Sequence, residues 1–223
     1  MKTPLAILAV VAACLLAFLW LAPNPGPDAL QPRTDLPWQI TVNPDGSSRV
    51  FDLELGSATL ADAMVKFGAL EGLAVFQAKE GEPVLEAYFG TVQFGPLKAK
   101  VVAGLDAAAT DLEQMLARAG GRDASPSGDW KYPLNDLPQE HSGRRLKLIT
   151  YVPGTRNLDA EVFRSRFGEP AAWLRENETA VSWFYPALGL AVLIDDEASE
   201  VLEYQPPRDF VMPAGVATGP ATP

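Results

Sequence analysis

Chemistry on this chain would have to come from few parts. The 223 residues hold one histidine and one cysteine. His141 lies in the polar run PQEHSGRR, next to Ser142. A Ser-His-Asp system needs the imidazole held by a carboxylate and aimed at the hydroxyl, with donors waiting for the oxyanion. Nothing in the run suggests a strained elbow or an oxyanion hole, and the expectation is a solvated loop histidine. Cys14 falls within an apolar run, so with a single His the usual four-ligand zinc sites are ruled out, as is any intramolecular disulfide. Asp195-Asp196-Glu197 lacks the spaced oxygens and the glycine of a calcium loop and reads as an acidic hairpin tip. No G-x-x-x-x-G-K-[ST] or G-x-G-x-x-G motif is present. No cofactor and no metal are expected.

Acid is what the chain has in number. There are 28 Asp and Glu against 18 Lys and Arg, a net charge of −10. Phosphate binding needs a basic surface that releases counterions, so nucleic acid is excluded as a partner. Adsorption of a folded acidic domain to an anionic lipid surface is disfavoured for the same reason. Among so many acids a paired-carboxylate hydrolase remains open, with Glu86 beside Tyr88 on one strand face the mild candidate; polar positions on a sheet explain that pair more simply. For binding, Trp183-Phe184-Tyr185 alternate across a strand, placing Trp183 and Tyr185 on one face and Phe184 on the other. Core packing is the default for one of those faces, and partner binding is the use left for an aromatic face. Tyr204, Arg208 and Phe210, in the extended run YQPPRDF, could add themselves to a partner's surface.

These residues need elements to hold them. WQITV (38–42) and SRVFDLEL (48–55) flank Asn43-Pro44-Asp45-Gly46, a hairpin signal. LGSATLADAMVKFG (55–68) is a helix with a capping-box start at Thr59 and Asp62, an apolar face of Leu60, Met64 and Phe67, and a stop at Gly68. Strands are expected at 72–78, 83–90 and 97–103, then an amphipathic helix over 106–119 that ends at Gly120-Gly121. After the polar break 121–129 come a strand at 146–152, a helix from near Asn157 to Phe167-Gly168, and strands at 171–177, 179–186, 188–195 and 199–205. From Pro206 the chain shows no periodic pattern and is expected to be mobile.

At the N-terminus, Lys2 precedes the uncharged run Leu5–Ala22. Its 18 residues span roughly 27 Å as a helix, close to the bilayer's hydrocarbon thickness. A cleaved secretory signal and a lipoprotein signal are the competing readings. Trp20 and Pro23 spoil a cleavage site, and the apolar residues after Cys14 do not suit a lipidated start. A membrane anchor over 1–22 is the expectation. Lys2 and the amino terminus then lie in the cytoplasm and the bulk of the chain outside, since the first basic residue after the run is Arg33. Residues 23–37 carry five prolines and read as a spacer.

Both halves repeat an order of parts. LGSATLADAMVKFGAL (55–70) and PGTRNLDAEVFRSRFGEP (153–170) each run glycine, polar cap, short helix and Phe-Gly, followed by strands. The fold class expected is α+β: two related units, 38–121 and 146–205, each a short helix on an antiparallel sheet, joined by a connector over 122–145 and followed by a tail over 206–223. In the second unit, FRSRFGEPAAW and VSWFYPALGLAVLIDDEASEVLEY resemble the helix, FG-x-P, aromatic strand and G-x-x-V-x-hydrophobic-D hairpin of small envelope lipoproteins of the SmpA/OmlA (BamE) type. The β-lactamase-inhibitor proteins, two such units in tandem, are similar in plan. The likeness covers about 50 residues well, and its motifs are structural. It implies a module for protein binding rather than catalysis. The chain departs from the lipoprotein pattern in lacking a lipidated cysteine.

These features together predict a non-enzymatic protein of the inner (cytoplasmic) membrane, single-pass with its N-terminus inside and its bulk periplasmic. It would bind a protein partner in or near that membrane, as an accessory or assembly subunit. The alternatives are an envelope-polymer hydrolase using paired carboxylates, and small-ligand binding between the two units.

Overall fold

The computed structural model describes residues 33–78, 81–124, 129–155 and 158–219. The expected membrane helix, Leu5–Ala22, lies outside them, and no described helix is long and apolar enough to cross a membrane. Thr34–Pro223 forms one compact unit, which contains everything that follows.

The hairpin expected around Asn43–Gly46 forms, but as three strands: β1 (Thr41–Val42), β2 (Ser48–Val50) and β3 (Leu53–Leu55). The single strand expected over 48–55 is broken at Phe51 and Asp52, whose φ values are 54° and 62°. Two left-handed residues in succession make the tight turn whose twist suits a two-residue hairpin. Phe51 takes this uncommon backbone because its ring is fully buried, 5.0–6.0 Å from those of Phe67, Phe94, Tyr151 and Tyr204. Core packing outweighs the local cost of the turn.

Helix α1 (Leu60–Phe67) starts as its sequence predicts: the Thr59 hydroxyl accepts from the Asp62 N–H, and the Asp62 carboxylate accepts from the Thr59 N–H. Strands β4 (Gly72–Gln77), β5 (Val84–Phe94) and β6 (Leu97–Leu105) follow as a meander. Helix α2 (Ala109–Arg118) begins three residues later than expected, without a side-chain cap, and buries Leu112 and Met115. The stretch read as a polar break and connector supplies β7 (Asp123–Ala124) and β8 (Trp130–Pro133), then a 3₁₀ turn over Pro138–His141. Next come β9 (Leu146–Pro153), α3 (Ala160–Phe167) capped by Asp159, and β10 (Ala172–Arg175), β11 (Ala180–Tyr185), β12 (Leu190–Asp195) and β13 (Val201–Tyr204).

The fold is α+β, with three described helices and one large antiparallel sheet. Its ten strands run β10-β11-β12-β13-β9-β6-β5-β4-β8-β7. Side chains alternate across this sheet. Leu85, Ala103, Ile149, Tyr151, Leu202, Val192 and Trp183 point to one face, where they share a continuous core with Leu60, Leu112 and Phe163 of the three helices and with Phe51. Residues 34–37, within the expected linker, are tied to this domain. Asp35 pairs with Lys66 at 2.9 Å, and the Pro37 carbonyl accepts from the Tyr204 hydroxyl at 2.9 Å. Beyond β13, Arg208 meets Asp45 at 3.2 Å, and the backbones of Ala217 and Trp173 exchange hydrogen bonds at the edge of β10.

Candidate functional site

The sheet face opposite the helices is where polar groups gather. Strand register aligns Phe184, Ala191, Glu203, Thr150, Val102 and Tyr88 in one row. Glu86 sits beside that row, opposite Gly104. Tyr88, Val102 and Thr150 are half-buried and Lys100 is exposed, so the face mixes aromatic, aliphatic and charged surface. The sequence placed Glu86 and Tyr88 on one strand face, and both point here.

The electrostatics of this face are uneven. The Glu86 carboxyl is pushed up from 4.5 to about 6, chiefly by loss of water, with the charges of Glu203 and then Asp129 adding to it. Glu203 is raised too, by loss of water around its carboxyl, although much of the residue stays accessible. The strands bearing these two acids, β5 and β13, are three spacings apart, which puts their backbones roughly 14 Å from each other. Catalytic carboxyl pairs of glycoside hydrolases stand about 5–10 Å apart, and these long side chains would have to lean together to reach that range. A carboxyl raised in pKa beside other acids marks a functional-site candidate, since either a basic ligand or a proton would relieve it.

His141 corrects its expectation. It is buried, at 4% exposure, not solvated. The Arg144 Nε–H donates to its Nδ1 at 3.1 Å, so the ring proton sits on Nε2 and donates to Asp136 Oδ2 at 3.0 Å. Arg144 continues to Asp111 Oδ2 at 2.9 Å, fastening the first turn of α2 to the 138–141 turn. The Ser142 hydroxyl donates to the Gln139 carbonyl, so Ser142 and His141 do not form a nucleophile–base pair. The sequence signal for this network was the polar run itself, which gave no hint of its burial.

The aromatic candidates divide. Trp183, Tyr185 and Tyr204 lie in the core. Arg164 covers the Trp183 ring at 4.7 Å, and the Tyr185 hydroxyl donates to the Gly168 carbonyl. Burial raises the Tyr151 hydroxyl to about 12 and pushes those of Tyr185 and Tyr204 up as well. Arg208 is partly exposed near Asp45 and Asp209, and Phe210 is half-buried. Asp195 forms a hairpin tip, its Oδ1 accepting from the N–H groups of Glu197 and Ala198. No group of three or more His, Cys, Asp or Glu among the described residues converges as metal ligands would.

Two of the clefts open at the strand ends and beside α3. One of about 700 Å³ opens at the strand ends between Glu82, Asp106, Arg145, Lys147 and Arg208. The other, about 120 Å³, is an apolar slot between Trp38, Leu97, Tyr151, Phe163 and Phe167; small-ligand sites usually enclose about 300–1,000 Å³. No family model, curated protein or solved structure matches the chain.

Proposed function

We propose that this chain is a non-enzymatic, membrane-anchored envelope protein whose sheet face binds another protein, as an accessory or assembly subunit of a membrane complex. The carrying observation is that face, opposite the helices of a ten-stranded sheet, with aromatic, aliphatic and acidic groups interspersed and only its β10–β11 end, at Ala172 and Phe184, covered. Nine strand spacings extend about 43 Å, the scale of a protein footprint of about 800 Å² per partner rather than of a metabolite pocket. The Leu5–Ala22 run and the proline spacer support inner-membrane anchoring with the domain on the periplasmic side. Carbonate-washed membranes should keep the protein, and external protease should digest the domain only after the outer barrier is opened. Affinity purification from detergent-solubilised native membranes should recover one protein in stoichiometric amount; repeated recovery of none would overturn the binding reading.

The two-unit reading belongs to the same proposal, and several equivalences support it. Each unit runs helix and then four antiparallel strands, α1-β4-β5-β6-β9 and α3-β10-β11-β12-β13, with α2, β7 and β8 inserted in the first; this differs from the expected bounds, in which β9 (Leu146–Pro153) opened the second unit, 146–205. The fourth strands, β9 and β13, pair with each other, so strand order reads the same outward from that junction. Phe67 meets Phe89 on β5, and Phe167 meets Tyr185 on β11, the second strand of each unit. Gly68 and Gly168 end the helices with φ/ψ of 100°/−163° and 80°/−167°. That region is essentially reserved for glycine. Tandem helix-on-sheet units are also what the resemblance to the β-lactamase-inhibitor proteins implies.

One observation favours a second reading, hydrolysis of an envelope polymer: Glu86 is raised to about 6 with the Glu203 charge contributing. Incubation with purified cell-wall polymer tests it. Release of soluble fragments that is lost in both Glu86→Gln and Glu203→Gln would establish it, and no release from the unaltered protein would remove it.

A further inference from the structure

The single histidine of the chain is buried with both ring nitrogens occupied. Its Nε2–H donates to Asp136 Oδ2 at 3.0 Å, and its Nδ1 accepts from the Arg144 Nε–H at 3.1 Å. Arginine offers donors only and keeps its protons, so the Nδ1 lone pair is committed for as long as the guanidinium stays. The same guanidinium is the strut of α2. Its Nη2 meets Asp111 Oδ2 at 2.9 Å in the first turn, and its Nη1 donates to the Asp106 carbonyl at 3.3 Å. Little else holds that end of the helix: Ala108 offers no side-chain cap, and of the ten residues only Leu112 and Met115 are buried. Asp106, Ala109 and Leu112 form a wall of the cleft of about 700 Å³ at the strand ends, beside Arg145.

We propose that His141 is a proton-operated latch on α2: protonation of its ring expels the Arg144 guanidinium and frees the first turn of the helix, reshaping the wall of the cleft. A proton added at Nδ1 faces the Arg144 Nε–H, two positively charged donors whose nitrogens stand 3.1 Å apart. No rotation of an imidazolium restores an acceptor, because both of its nitrogens donate. Asp136 keeps its bond to the ring, so the ring stays and the guanidinium leaves. At 4% exposure the ring meets water only when this segment opens, which makes proton entry and release one event. Other charged groups reach the network from three sides. The 138–141 turn brings Glu140, whose carboxylate accepts from the Leu137 N–H. From α2 come Asp111 and, in the last turn, Arg118, 3.7 Å from Asp136. From α1 comes Asp62, held by Thr59. Among these residue types histidine is the one that ordinarily changes charge between about pH 5 and 8. The Leu60 and Ala61 N–H groups donate to the Arg144 and Ser142 carbonyls, which keeps the 142–145 backbone in place and confines the release to α2. The latch is independent of the protein-binding reading.

The test follows the full chain in a mild detergent by ¹⁵N spectra from about pH 8 to about pH 5, reading the His141 ring signals and the hydrogen-exchange protection of α2. Protection at Leu112 and Met115, corrected for the intrinsic pH dependence of exchange, should fall roughly tenfold or more with the midpoint of the His141 titration. Protection in β6 and β9 should stay level across it. His141→Gln takes no proton and still offers Arg144 an acceptor, so α2 should stay protected over the whole range. Asp111→Asn, at a partly exposed position, cuts the strut; α2 should then be poorly protected already at the alkaline end and change little on acidification. If His141→Gln fails to fold by near-ultraviolet circular dichroism, Asp111→Asn carries the comparison. A His141 titration that leaves α2 protection unchanged overturns the proposal. The same fall in His141→Gln or in Asp111→Asn also overturns it, by assigning the change to another group. A ring that stays neutral until the whole domain unfolds does so as well, because no local release then exists.

Discussion

Replacing Glu86 with Gln should stabilise the protein at neutral pH and leave it unchanged in acid. Glu86 has a pKa near 6 in the folded chain against an ordinary 4.5, because burial and the charges of Glu203 and Asp129 penalise its ionised form. The folded state therefore holds this proton more tightly than the unfolded state. Below about pH 4.5 both states are protonated and Glu86 costs nothing. Stability falls as pH rises from about 4.5 through about 6, and stays lower above that. A pKa difference of about 1.5 corresponds to about 2 kcal/mol at most, or about 4–8 °C in melting temperature for a domain of this size. Gln keeps the shape and removes the charge. Urea unfolding followed by tryptophan fluorescence at pH 4 and pH 7.5 should give a gain near zero at the first and approaching 2 kcal/mol at the second. An equal gain at both pH values, or a loss at pH 7.5, would refute the assignment of Glu86 as a carboxylate strained by its place on the sheet.

Phe51→Ala removes a fully buried ring that touches four others and should cost about 3–5 kcal/mol; a loss under about 1 kcal/mol by chemical denaturation would contradict its central place in the core. Gly68→Ala and Gly168→Ala have open space for the added methyl, so only the backbone is strained, and each should cost about 1–3 kcal/mol. A neutral result at either would break the equivalence of the two helix ends. Thr59→Ala and Asp159→Ala remove the side-chain acceptors of α1 and α3 and should each lower stability by about 1 kcal/mol.

Features written in short stretches of sequence were legible without the fold. Thr59 with Asp62 spelled the start of α1. Phe67-Gly68 and Phe167-Gly168 marked both helix ends, and alternation located β4 to β6 and β9 to β13 within a few residues. Asp195 was correctly placed at a hairpin tip, and Glu86 on the same strand face as Tyr88. Each rests on hydrogen bonds or periodicity between residues a few positions apart, where side-chain type alone decides the energy. What the tertiary structure decided depends on partners distant in the chain. The run 48–55 breaks at Phe51 because Tyr151 and Tyr204 draw its ring inward. The stretch read as a connector becomes β8 because β4 leaves an edge for it to pair with. His141 is buried because Asp136 and Arg144 satisfy both its nitrogens. Glu200 gave no signal in the sequence, being one acid among 28. Its closure under Leu158, 42 residues away, and the unpartnered Oε2 come only from the folded chain.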